Sequence, residues 1–147
     1  MFLLWTLTQI INEIKEVSMK RLKVFLLITD IGFIIYWLIT GLHLIPDSWA
    51  FKDYNNPILV AWNWSFFPLD MFISGTGLTS IYLYYKKKPF WKKLCLITLV
   101  LTFCSGLQAI SFWALRMDFD ISWWAVNLYL LIYPLFFIKS VVNDTIK

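Results

Sequence analysis

The sequence predicts an all-α membrane protein, four transmembrane helices in one bundle, and three observations predict it. Of its 147 residues, 60% are hydrophobic and only 15% are charged, with a mean hydropathy of +0.68. Soluble domains average about half apolar and about a quarter charged, so this chain is composed for lipid as its solvent. Its apolar residues gather in four long runs, and seven of its nine Trp residues lie near the ends of those runs, as amphipathic rings do at a membrane–water interface.

Residues 1–18 stand apart from the rest. Leu4, Leu7, Ile11 and Ile14 recur at helical spacing, with Gln9, Asn12, Glu13 and Glu16 opposite. The pattern predicts an amphipathic or dispensable N-terminal segment on the membrane surface. It is not a signal peptide, because the basic cluster follows the apolar stretch instead of preceding it. Residues 19–147 then form the four-helix transmembrane domain.

The first span is predicted at 24–45, bounded by Lys23 and by Pro46-Asp47. The second runs over 58–85 and stops at Lys86-Lys87-Lys88-Pro89; it is longer than a bilayer needs and contains Pro68, so a kink or an interfacial first turn is expected there. The third covers 94–115 and the fourth 121–138, closed by Lys139. Crossing the hydrocarbon takes about 20 residues, which these runs supply.

Charge gives the orientation. Eleven basic residues lie before the first span, between the second and third, and after the fourth, from Lys15 through Lys86 to Lys147. The other side carries Lys52 and Arg116 beside Asp47, Asp53, Asp118 and Asp120. The positive-inside rule places both termini in the cytoplasm and the protein in the cell membrane as a multi-pass protein. Basic residues in short blocks between apolar runs anchor topology and exclude nucleic acid as a partner.

Polar residues inside the runs are the site candidates, because each needs a partner in lipid. On the second run Asn63, Asp70 and Gly77 recur every seven residues, with Ser74 close by; on the third, Thr98, Thr102 and Ser105 share a face with Gln108 beside it. Asn127 and Pro134 align on the fourth run, and Asp30, Trp37 and Gly41 on the first. At 1.5 Å of rise per residue, Trp37, Asp70 and Gln108 lie about 20 Å from the basic end and Asn127 about 17 Å. Asp30 lies about 9 Å from it, where Lys23 could draw it toward the headgroups. The expected ligand-binding set is therefore Trp37, His43, Asn63, Asp70, Gln108 and Asn127, with Asp30 and Asp70 as proton or cation carriers.

Several chemistries lack their residues. Cys95 and Cys104 are nine positions apart and so on opposite helical faces, which argues against a dithiol. One histidine cannot give bis-histidine haem ligation. No metal-ligand spacing or phosphate loop occurs, and no cofactor is expected.

As a whole, residues 19–144 resemble the small, uncharacterised YvaD-like membrane proteins of bacteria, a resemblance that implies no activity. Trp37, Gly41, His43, Asp47 and Trp49, the Pro68-Leu69 step, and Trp123-Trp124 with Asn127 and Pro134 more faintly resemble the emopamil-binding, sterol-isomerase-like (EXPERA) superfamily. That resemblance implies a helical bundle holding a lipophilic ligand, with His43 and Asp47 as proton-handling, catalytic positions and Asn127 in the pocket. The chain departs from the pattern: the acid, Asp70, follows the proline–leucine step, and Leu130 stands where the family has an aromatic residue.

The reading ranked first is a binding module that takes a lipophilic small molecule into a polar–aromatic cavity in the outer half of the bundle. A small transporter or transporter subunit using Asp30 or Asp70 comes next, then a scaffold, then an isomerase-like enzyme, so the balance is against catalysis. The partners are the lipid bilayer and that ligand, and self-association as a homo-oligomer is left open.

Overall fold

The computed structural model describes the backbone of residues 2–145, and the side chains of residue 9 and residues 19–143. Six helices follow one another: α1 (Phe2–Gly41), α2 (Asp47–Ala50), α3 (Pro57–Trp64), α4 (Phe67–Tyr85), α5 (Trp91–Leu115) and α6 (Ile121–Thr145). Three of them are long and apolar enough to cross a membrane, over Met19–Gly41, Trp91–Leu115 and Ile121–Asn143, the pattern of a multi-pass membrane protein.

Three helices meet that measure where the sequence predicts four spans, and the second run is the reason. It breaks into α3 and α4 at Ser65-Phe66. Pro68 lacks the N–H that would pair with the Trp64 carbonyl, and its ring crowds that turn. What remains, α4, is 19 residues long and carries Asp70, Ser74, Gly75, Thr76, Gly77, Thr79 and Ser80, so its composition falls short of a free-standing apolar span.

The first helix differs from expectation at both ends. Residues 2–18 continue the first span as one unbroken helix, although their side chains, residue 9 excepted, lie outside the described residues. At the other end α1 stops at Gly41, four residues early. The Leu44 N–H bonds back to the Ile39 carbonyl and the His43 N–H to the Thr40 carbonyl, the double closure of a Schellman motif. His43 takes the left-handed position at φ 50°. Lys87 ends α4 and Met117 ends α5 in the same way, at φ 53° and 54°. Glycine usually occupies that position, so no glycine signal announced these stops.

Two helix starts, those of α3 and α6, are capped by side chains. Asn56 accepts hydrogen bonds from the Ile58 and Leu59 N–H groups ahead of Pro57. Asp120 accepts from the Ser122 and Trp123 N–H groups at the head of α6.

The long helices run side by side in alternating directions. As α1 proceeds from Asp30 to Trp37, its partners on α4 go back from Gly77 to Asp70. Between α4 and α5, Ser80 donates to the Trp91 carbonyl, Thr98 to Thr76, and Ser105 to Asp70. α5 and α6 approach closely at Gly106, where a built Cβ would lie 2.5 Å from the Leu131 nitrogen and 2.8 Å from the Asn127 carbonyl oxygen. At the lysine-rich end one apolar core, including Leu22, Leu26, Ile81, Leu99, Tyr133 and Phe137, joins α1, α4, α5 and α6. Toward the tryptophan-rich end that closure is lost between α1 and α6.

Candidate functional site

Phe25 decides where α1 and α6 meet. Its ring stacks on Tyr129 and Tyr133 and tilts against Phe137. One turn on, the Thr29 and Tyr129 hydroxyls are 3.1 Å apart. Beyond that pair the two helices part, and the space between them is a cavity of about 840 Å³ with α3, α4 and α5 behind it. Ligand pockets are typically about 300 to 1,000 Å³. Its walls are aromatic, with Phe33, Tyr36, Trp37, Trp62, Phe66 and Trp113 prominent.

The polar groups of the cavity are mostly tied. Trp37 Nε1 donates to Asp70 Oδ2 at 2.9 Å, and the Ser105 hydroxyl donates to Oδ1 at 3.4 Å. Asp70 is 4% exposed, so a buried carboxyl is held by two neutral donors from neighbouring helices. The Tyr36 hydroxyl lies 3.1 Å from both the Ala50 carbonyl and Asn63 Oδ1 and shares its one proton between them, tying α1 to α2 and α3. Asn63 Nδ2 is buried without a hydrogen-bond partner among the described residues. Asn127 Nδ2 donates to the Trp123 carbonyl within α6.

Ion pairs close the tryptophan-rich end. Lys52 Nζ lies 2.6 Å from Asp118 and 4.0 Å from Asp120, and Arg116 pairs with Asp53 at 2.9 Å. The Trp124 indole donates to the Asp118 carbonyl. The Asp120 carboxyl is held below the usual carboxylate range, first by the Ser122 hydroxyl and next by the Trp123 N–H.

Of the sequence-predicted ligand residues, Trp37, Asn63, Asp70 and Asn127 line this one cavity. Two do not. Gln108 is exposed on the far side of α5, and Asp70 finds Ser105 in its place. His43 sits in the exposed turn after α1, 3.4 Å from Asp47, with side chains 73% and 48% exposed. The two proposed proton-handling groups are thus adjacent to each other but lie in a shallow surface pocket of residues 43–47 apart from the cavity.

Asp30 departs from expectation most. Lys23 does not draw it to the headgroups, because the Lys23 ammonium lies over the Tyr84 ring at 4.3 Å. Asp30 is fully buried against Gly77, and neither carboxyl oxygen has a hydrogen-bond partner among the described residues. A Cβ built on Gly77 would overlap that carboxyl, so a glycine is what admits the acid. Among the described residues no group of three or more His, Cys, Asp and Glu side chains could hold a metal ion.

Sequence reasoning missed Ser105 as the partner of Asp70, Tyr36 as the tie to Asn63, and Lys52 as the closing cation. The seven-residue spacing of Thr98 and Ser105 was the one signal available for the first.

Comparison with known proteins agrees with the broader resemblance. The chain is 59% identical over 126 residues to a protein of Bacillus subtilis (strain 168) described as "Uncharacterized protein YvaD", covering 86% of this chain and 95% of that one. No solved structure matches it. The resemblance to the sterol-isomerase-like superfamily is not shown by these comparisons. Residues 22–147 match the model of a family of unknown function, DUF5360, and the chain belongs to that family.

Proposed function

We propose that the protein crosses the cell membrane four times, with both termini in the cytoplasm, and binds a lipophilic small molecule in the cavity between α1 and α6. The carrying observation is the cavity itself: about 840 Å³, aromatic on most sides, with a few fixed polar groups, which is how small-molecule sites are built. The fourth crossing is α4. Leu22 and Leu26 of α1 share a core with Cys95 and Leu99 of α5, so the apolar stretches beginning at Met19 and Trp91 start from one end, which supports a return of the chain between them. α4 does so with its polar side buried: Asp70, Ser74, Gly77 and Ser80 face its neighbours. A helix flanked this way needs less apolar composition than one surrounded by lipid.

Native mass spectrometry of the protein released from membranes tests the reading. A retained lipophile is expected, and Trp37→Ala, which opens the cavity floor, should lose it. A protein carrying only annular phospholipid, unchanged by that substitution, would refute it.

A second reading has its own observation. The fully buried, unpartnered carboxyl of Asp30 is the kind of intramembrane acid that marks proton or cation pathways, and it supports a small transporter. In proteoliposomes with a pH-sensitive dye, Asp30→Asn should abolish any proton flux the native protein carries; absence of flux from the native protein discards this reading.

A further inference from the structure

The following rests on the binding reading above and names the ligand class and its route. We infer that the cavity takes a neutral amphiphile, with a hydrogen-bond-accepting carbonyl or hydroxyl head, that enters sideways from the lipid between α1 and α6.

The route follows from which residues line the rim. Ile28 and Val126 both line the cavity, yet they are 60% and 58% exposed. One turn beyond Ile28 on α1 is Gly32, also a lining residue, where a built Cβ would meet nothing within 4 Å. An exposed flank in the middle of Met19–Gly41 faces hydrocarbon once that helix crosses a membrane. The two ends of the gap are shut by different means. The rings of Phe25, Tyr129 and Tyr133 close the lysine-rich end. The bonds of Lys52 to Asp118 and of Tyr36 to the Ala50 carbonyl hold the tryptophan-rich end. Between these two ends the exposed rim is apolar, made by Ile28, Gly32 and Val126.

The head group follows from what the cavity leaves unpaired. A cation would need a free carboxylate, but of the two lining acids Asp70 already accepts from Trp37 and Ser105 on both oxygens, and Asp120 faces the Lys52 ammonium and accepts from the Ser122 and Trp123 N–H groups. An anion would need Lys52, but that ammonium is committed to Asp118 and Asp120, whose charges repel a second anion. The Asn63 amide is oriented by Tyr36, which donates to Oδ1, and this leaves the buried Nδ2 donor without a partner among the described residues. A buried donor lacking a partner gains from an acceptor and discriminates against ligands that have none. The satisfied hydroxyls of Thr29 and Tyr129 at the far end leave that part of the cavity for an apolar chain.

The probe is a monoacylglycerol with a diazirine in its chain and an alkyne tag, carried in phosphatidylcholine vesicles with the full-length protein. A short-chain diazirine ketone added from water gives the second arm. Crosslinks mapped by peptide mass spectrometry should fall on lining residues such as Phe33 and Val126. Gly32→Trp should remove most labelling by the bilayer-borne probe, whereas Gly32→Ala should not. Asn63→Leu should weaken labelling by about tenfold, the equivalent of one buried hydrogen bond. Asn63→Asp, which keeps the acceptor for Tyr36 but loses the donor, should do the same if the leucine variant fails to fold. Dodecanol should compete, and dodecylamine and dodecanoate should not. Full cavity labelling in Gly32→Trp overturns the lateral route, and competition by the amine or the acid overturns the neutral head. In both cases the binding reading stands. A cavity labelled by neither probe removes the binding reading as well.

Discussion

Asp70 and Asp30 are both buried carboxyls on facing helices, and their surroundings separate them. Asp70 is held by the indole of Trp37 and the hydroxyl of Ser105. Asp70→Asn keeps an acceptor for the indole and offers Ser105 a donor, so it should fold with an unchanged thermal midpoint in detergent. Asp70→Leu leaves a buried indole N–H unpaired and should cost about 1 to 3 kcal/mol, read as a fall in that midpoint; equal midpoints for the two variants would show that the bonds contribute nothing. Asp30 is held by shape instead, its carboxyl against Gly77. Gly77→Ala inserts a methyl group where that carboxyl lies and should destabilise by about 1 to 3 kcal/mol. Adding Asp30→Ala should recover part of the loss, because residues in contact do not act additively. Strict additivity in this double-mutant cycle would contradict the contact.

At the scale of elements, three helices end on a residue that is not glycine in the left-handed conformation: His43, Lys87 and Met117. An L-residue there costs roughly 1 to 2 kcal/mol of local strain, which glycine avoids. Met117 has a 76% exposed side chain, so little packing is lost on its replacement. Met117→Gly should raise stability by a few tenths to about 1 kcal/mol, seen as a higher thermal midpoint, and a lower midpoint would show that the α5–α6 turn does not carry this strain. The broken second run belongs to the same scale. A proline after a Ser-Phe step separates α3 from α4, and the separation lets Asn63 face Tyr36 while Asp70 faces Trp37. An unbroken helix would have put Asn63 and Asp70 seven residues apart on one stripe.

For the whole molecule, the alternation of directions among α1, α4, α5 and α6, joined to the charge bias of the sequence, makes the proposed sidedness testable. With α4 as a crossing, reporter fusions after Lys88 and after Lys147 should read cytoplasmic, and one at Asp53 should read external. A cytoplasmic reading at Asp53 would leave only an arrangement in which α1 and α4 enter without crossing. The same alternation accounts for the cavity. α1 and α6 are first and last in the row, and no short loop joins them. Their contact depends on Phe25 and Thr29 near the lysine-rich end, which leaves the rest of that seam to whatever fills it.

How much of this was legible in the sequence depended on whether a feature repeats along one helix or arises between two. Lipid as solvent, the long apolar runs and the inward stripes Asp70-Ser74-Gly77 and Thr98-Thr102-Ser105 were determined by composition and period alone, and all six residues of those stripes are buried. Helical period gives a residue its face but not the neighbour that face meets. Gln108 is three positions beyond Ser105, which rotates it by about 60°; on the sequence it looked adjacent to the polar face, and only packing put it outside. His43 was misplaced because a Schellman turn without glycine leaves no mark in the sequence. Proximity along one helix offered Lys23 as a neighbour for Asp30, whereas the glycine that admits its carboxyl is on another helix. The gap between α1 and α6, the pairing of Trp37 with Asp70 and the unpaired amide of Asn63 were decided by tertiary structure, because each depends on the relative rotation of helices that are distant in the chain.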